Sequence, residues 1–308
     1  MPKKQKIILP VPFAVSDYGH SATTSFNRII SVNAANEMMD DKFPSNLLTR
    51  ETVILPPVEF EICEDKHLES GVGVTTLVNL QNNLANRISE IWNESETLLI
   101  LGGDHSISCG TGVGIARNID MSKVALIYVD AHADCNTPET SLSKCITGYP
   151  VAVNFGLGAE ALTNPFKNNF LTKVCYIGLR DIDELEGENL KKINAEVYSI
   201  LEVEELGINK VVEKVLKSVN EYKYIWLSID IDSLDAIYFQ KGETDVPVTG
   251  GLTPRELLYI AHKVQSTGRV RVAEITQVND LGHNTDIVVL ASRLAELCLG
   301  LGGFRYKQ

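Results

Sequence analysis

Val129-Asp130-Ala131-His132-Ala133-Asp134, running on into Cys135-Asn136-Thr137-Pro138, follows a short apolar run from Val124 to Val129. That run is brief and β-branched enough to be a buried strand, so the polar cluster begins where a strand ends. Sheets of α/β proteins place their chemistry at this carboxyl edge. In an extended segment Asp130, His132 and Asp134 alternate onto one side, giving three convergent N/O ligands that suit Mn, Fe or Zn rather than Ca or Mg. Taken alone, the segment also fits a turn rich in capping residues.

The pattern on either side repeats this grammar. Ile7 to Pro12 reads as an opening strand, a helix is expected across Asn27 to Met39, and Thr52 to Leu55 reads as a strand stopped by Pro56-Pro57. Leu77, Leu80, Leu84, Ile88 and Ile91 recur at helical spacing within Thr75 to Asn93. Thr97 to Leu101 is then a strand ending in Gly102-Gly103-Asp104-His105-Ser106, and Ser106 to Arg117 a helix rich in small residues. After the Asp130 loop, Lys173 to Leu179 is a strand, Glu184 to Lys192 a short helix, Ala195 to Ile200 a strand and Leu206 to Val219 a helix. Tyr224 to Ile229 is a strand ending in Asp230-Ile231-Asp232. Thr253-Pro254-Arg255-Glu256 carries a helix start, with Thr as N-cap and Glu three residues on. Val270 to Ile275 is the last clear strand and Ile287 to Leu301 the closing helix. Strands alternating with helices predict a mostly parallel sheet covered on both faces. With no linker, repeat or low-complexity stretch, one domain over 1–308 is expected.

Composition narrows the function. A net charge of −12 argues against nucleic acid or an anionic membrane as partner, because both need a basic face. No stretch approaches the roughly 18 apolar residues of a membrane span. Met1-Pro2-Lys3-Lys4-Gln5-Lys6 is followed by too short an apolar run for a signal peptide. The six cysteines (Cys63, Cys109, Cys135, Cys145, Cys175, Cys298) are scattered without a CxxC, as expected for reduced thiols in a cytoplasmic enzyme.

Three strand ends carry the candidate chemistry: His105 on the first, Asp130, His132 and Asp134 on the second, Asp230 and Asp232 on the third. Six ligands exceed one ordinary metal and match a pair roughly 3.5–4 Å apart that activates a water between them. Gly102 to Ser106, Asp130 to Asp134, and Ser228-Ile229-Asp230-Ile231-Asp232-Ser233-Leu234-Asp235 resemble, in order, the three signature motifs of the arginase family, the ureohydrolases. The resemblance covers nearly the whole chain. It implies a three-layer α/β/α sandwich on a parallel eight-stranded sheet, two Mn2+ ions, and attack of an activated water on a planar guanidine or amidine carbon. One manganese would be held by His105, Asp130, Asp134 and Asp230, the other by Asp130, His132, Asp230 and Asp232. Asp134 would also act as proton carrier. A homo-oligomer, trimer or hexamer, is implied by the resemblance alone.

Within the family, the loop from Asn136 to Ser143 is similar to that with which arginases hold a substrate α-carboxylate, through Asn136 and Ser143. Asp183 and Glu186 match the carboxylates facing the α-amino group, although a helix cap and an exposed acid is the plainer reading of that pair. The other end of the site departs from the pattern. Thr147 stands where the family has His, Gln277 where it has the Glu that pairs with the guanidinium, and Val246 where arginases carry Thr. The loop after Asp235 is about two residues longer. A buried guanidinium without a carboxylate is costly. The expected substrate is therefore arginine or an α-amino acid with a less basic far end, such as a hydroxyguanidine, amidine or formimino group. Glu274, an odd number of residues from Gln277, faces away on a strand, leaving Glu243 and Asp245 as better substitutes. A formimidoylglutamase-type hydrolase and a metal-binding relative with little catalysis are the alternatives; a single-zinc deacetylase of the same fold needs fewer acids. His20, His67, His262 and His283 read as surface or satisfied histidines.

Overall fold

The computed structural model describes residues 6–14, 29, 47, 52–59, 73–239, 243–244, 246–279 and 285–301. The helix expected across Asn27 to Met39, together with His20, His67, His283, Cys63 and Asp245, lies outside them, apart from Ile29 within that helix. Eight strands are described: β1 Lys6–Val11, β2 Thr52–Ile54, β3 Thr97–Gly102, β4 Val124–Val129, β5 Val174–Leu179, β6 Glu196–Ser199, β7 Tyr224–Asp230 and β8 Val270–Thr276. All pair in parallel, in the order β2-β1-β3-β8-β7-β4-β5-β6.

Alternation along each strand divides the core in two. Leu98, Ile100, Leu126, Tyr128, Tyr176, Trp226 and Val272 pack with helices Gly73–Ile91 and Ser108–Asn118 on one face. Leu99, Leu101, Ile127, Val129, Ile177, Leu227 and Ile275 pack on the other with helices Ile208–Ser218, Pro254–Gln265 and Thr285–Cys298. The result is the three-layer α/β/α sandwich that near-continuous apolar strands require, since a parallel sheet must be buried on both sides.

Two local differences from the sequence reading have simple causes. Ile200 does not extend β6: Ser199 caps a new helix, Ile200–Leu206, with Glu202 closing a capping box. Gly207, at φ +78, then separates it from Ile208–Ser218, which is the helix expected over Leu206 to Val219 and starts two residues later than expected.

The chain order positions the site. β1 to β3 form one side; β4 starts the other side and β5 and β6 extend it outward; β7 and β8 return to fill the gap. The ends of β3, β8, β7 and β4 therefore stand side by side around the topological switch point, where such sheets bind their ligands.

Candidate active site and its metal-ligand cluster

All six expected ligands converge at these strand ends. His105 Nδ1 lies 3.0 Å from Asp130 Oδ2, 3.0 Å from Asp230 Oδ2 and 3.4 Å from Asp134 Oδ2. His132 Nδ1 lies 3.5 Å from Asp130 Oδ1 and 3.2 Å from Asp232 Oδ2. Two groups are compact enough to hold a metal ion, His105 with Asp130 and Asp230, and Asp130 with His132 and Asp232, sharing Asp130. His105 Nδ1, Asp130 Oδ2 and Asp232 Oδ1 are buried yet make no hydrogen bond. Ligand atoms left so fit a divalent cation pair better than a self-satisfied polar core.

The segment that carries three of these groups is not simply extended. Asp134 adopts φ +48, so the loop turns there, and Tyr128 OH donates to Asp134 Oδ2 at 2.7 Å from below. Asp130 Oδ1 and Asp230 Oδ1 each accept from the backbone N–H two residues on, at His132 and Asp232, which aims their second oxygens into the cluster. Burial, and then the Asp130 charge, pushes the Asp134 carboxyl well above the usual carboxylate range. Burial opposes charge on His105 and His132, but the flanking carboxylates win and raise both; His132 is pushed up to about 12. Without a cation, these imidazoles serve as the counter-charges.

Behind the cluster lies a polar relay. Ser228 Oγ donates to Glu274 Oε2 (2.9 Å) and lies 2.8 Å from His105 Nε2. The hydroxyl has one proton, so Nε2–H is the donor to it and Nδ1 is the nitrogen left for the cluster. Glu274, fully buried, also accepts from Ser108 Oγ (2.7 Å) and Trp226 Nε1 (3.0 Å). Its carboxylate is thus turned toward the helix Ser108–Asn118. Thr276 Oγ1 donates to Asp230 Oδ2 at 3.1 Å. The third ligand loop is clamped by Arg180, whose guanidinium donates to the carbonyls of Gly178, Asp232, Ser233, Leu234 and Val248. Gly251 admits this clamp: a Cβ there would meet Leu234 C at 2.5 Å and Arg180 Nη2 at 2.6 Å. The sequence reading missed Ser228, Glu274 and Arg180 in these roles; a charged residue inside an apolar strand, Glu274, was the available signal.

These contacts place the chain among known proteins. The sequence profile described as the arginase family matches residues 7–300. The chain belongs to the arginase family. It is 35% identical over 223 residues to arginase of Bacillus subtilis (strain 168), covering 70% of this chain and 73% of that one. The native arginase structure from Bacillus caldovelox superposes with TM-score 0.82 at 25% identity, over 97% of this chain and 99% of that one. Formimidoylglutamase from Bacillus subtilis shares the fold, with TM-score 0.74 at 19% identity over 97% of this chain and 87% of that one. Arginase-family members are generally binuclear-metal enzymes, in keeping with the two ligand groups.

The remaining expected site residues divide into two groups. Asn136 Nδ2 donates to Asp183 Oδ2 at 3.3 Å, and Glu186 is buried rather than exposed, accepting from Cys135 N (2.9 Å) and Asp183 N (3.3 Å). Burial pushes the Glu186 carboxyl up to about 7. Asp183 is the N-cap of Glu184–Lys192, so the capping reading holds for it alongside the contact with Asn136. Ser143 is exposed, its Oγ accepting from Cys145 N. Thr147 lies 3.0 Å from Cys145 Sγ on the same rim. Gln277 is buried at φ +61, its N–H donating to Gly103 O at 2.7 Å. Val246 is 55% exposed. Cys109, Cys135, Cys145, Cys175 and Cys298 are all free thiols. Among the described residues no helix is long and apolar enough to cross a membrane.

Proposed function

We propose that the protein is a binuclear-manganese hydrolase that cleaves a C–N bond in the guanidino or amidino group of an α-amino acid, arginine or a less basic analogue. The observation that carries this reading is the joining of two halves. A six-ligand cluster and an Asn136–Asp183–Glu186 corner are linked through one continuous loop, Asp130 to Asn136.

The residues that would hold the pair are His105, Asp130, His132, Asp134, Asp230 and Asp232. When bound, the metal pair would lower the pKa of a water and stabilise the tetrahedral species formed when that water attacks the planar carbon. The rest falls to the chain's own residues. Asn136 and Ser143 would receive the substrate α-carboxylate, and Asp183 and Glu186 the α-ammonium. Asp134, held by Tyr128, would be the carboxylate that passes a proton from the attacking water to the departing amine. Thr147 cannot titrate near neutral pH, so it can offer only a hydroxyl hydrogen bond to a leaving product. The protein is further proposed to work as a homo-oligomer in the cytoplasm, checked by light scattering and fractionation.

Steady-state assays of manganese-loaded protein on arginine, hydroxyarginine and formiminoglutamate test the reading. Release of urea, hydroxyurea or formamide, abolished by chelator, supports it. Full metal loading with no turnover of any of the three would overturn it in favour of a metal-binding relative without catalysis.

A further inference from the structure

A further buried acid lies on the loop after the third ligand segment. Glu243 is 1% exposed and its neighbour Thr244 2% exposed. The base of that loop is pinned: Asp235 N donates to Leu252 O, Ala236 N donates to Val248 O, and Asp235 Oδ2 accepts from Gly250 N and Gly251 N. The excursion between these anchors returns to the end of β8, where Glu243 O accepts from Asn279 N at 3.1 Å. The same N–H contacts Gln277 O at 3.1 Å, and Gln277 N is bonded to Gly103 O, two residues before His105. One residue earlier, Thr276 bonds the ligand Asp230. Glu243 is thus one main-chain hydrogen bond from the turn that borders the cluster. Position 277 in that turn offers only a neutral amide. Glu274 has its carboxylate turned to Ser108, Trp226 and Ser228.

We propose that Glu243 is the specificity-determining carboxylate that receives a cationic far end of the substrate, the task that the amide of Gln277 cannot perform. This rests on the reading of the site as a guanidino-group hydrolase, and it narrows that reading: a carboxylate at this position selects a protonated guanidinium over a neutral tail. A charge-assisted, bidentate pair is the strong way to hold a planar guanidinium, and its loss leaves a buried cation without a partner.

The test compares wild type, Glu243→Gln, Glu243→Asp and the double variant Glu243→Gln/Gln277→Glu, each with manganese content measured by elemental analysis. Arginine turnover is read beside hydroxyarginine turnover and calorimetric binding of arginine. At equal metal content, Glu243→Gln should lose about 100-fold in kcat/KM for arginine, the scale of a lost charge-assisted pair, with a smaller loss on the less basic hydroxyarginine. Glu243→Asp should lie between, and the double variant should regain about tenfold because it returns a carboxylate to the turn. Should Glu243→Gln fail to fold, the aspartate variant and the arginine-to-hydroxyarginine ratio still decide. Wild-type kcat/KM on arginine in metal-loaded Glu243→Gln would overturn the assignment while leaving the hydrolase reading standing. A wild type that turns over only neutral-tailed substrates would overturn it too. A loaded wild type active on none would remove the hydrolase reading itself, and this inference with it.

Discussion

Ser228→Ala isolates the relay behind the candidate metal ligands. The substitution removes one oxygen, leaves Glu274 its bonds from Ser108 and Trp226, and takes away the acceptor 2.8 Å from His105 Nε2. Two effects follow. His105 loses the partner that fixes its tautomer, and outer partners of this kind are worth about 10–100-fold in metal affinity. That range is about 1.4–2.7 kcal/mol, the size of one hydrogen bond to a charged group. Glu274 loses one of its three donors, which should lower the stability of the metal-free protein by about 1–2 kcal/mol. Manganese affinity is measured by competition with a chelator of known affinity, and metal-free stability by urea unfolding. Manganese binding within twofold of wild type, together with unchanged urea stability, would refute the relay.

Three further outcomes are expected. Manganese at about 100 times its dissociation constant should stabilise the fold by about 2.7 kcal/mol, and chelation should lower the melting temperature by several degrees; identical melting curves with and without manganese would count against a metal site. Burial pushes the Glu186 carboxyl up from 4.5 to about 7, so the folded state binds the extra proton and metal-free stability falls as pH rises from about 4.5 to about 7, on the order of 3 kcal/mol in all. Relative to wild type, Glu186→Gln should remove that limb in urea titrations, and parallel pH profiles for the two would refute the assignment. Gly251→Ala forces a Cβ against Leu234 and Arg180, and should cost at least about 2 kcal/mol; wild-type urea stability would show that the Arg180 clamp tolerates displacement.

Local chemistry explains what could be read along the chain. Val124 to Val129 announces a buried strand by composition, and the acids behind it mark the carboxyl edge, so the parallel sheet and the six-ligand cluster follow from the sequence. Thr253 to Glu256 announces its helix by capping, as the structure bears out. What stayed hidden depends on pairing between distant segments. Ser228 and Glu274 sit 46 residues apart and meet only because β7 and β8 are neighbours. Arg180 reads as a charge after a strand until β5 and the loop at Asp232 to Leu234 are brought together. The helix Ile200–Leu206 has no counterpart in the sequence reading because Ile200 favours a strand in isolation, and only the Ser199 cap decides against it. Glu243 could be named as a substitute carboxylate, but its position depends on where the loop after Asp235 lands.

The order in which the strands fill the sheet also bears on synthesis. β4, β5 and β6 are complete well before the gap beside β4 is closed, and the closing strands β7 and β8 bring Asp230, Asp232, Ser228 and Glu274 with them. A chain emerging from the ribosome therefore holds His105, Asp130, His132 and Asp134 for about 100 residues of synthesis before their partners exist. Contacts of such sequence separation form slowly, because the loop between them must be closed before they contribute. On the dimanganese reading proposed above, tight uptake of a metal pair would report a finished sheet, and a truncated chain lacking β7 would lack Asp230 and Asp232 and retain no pair.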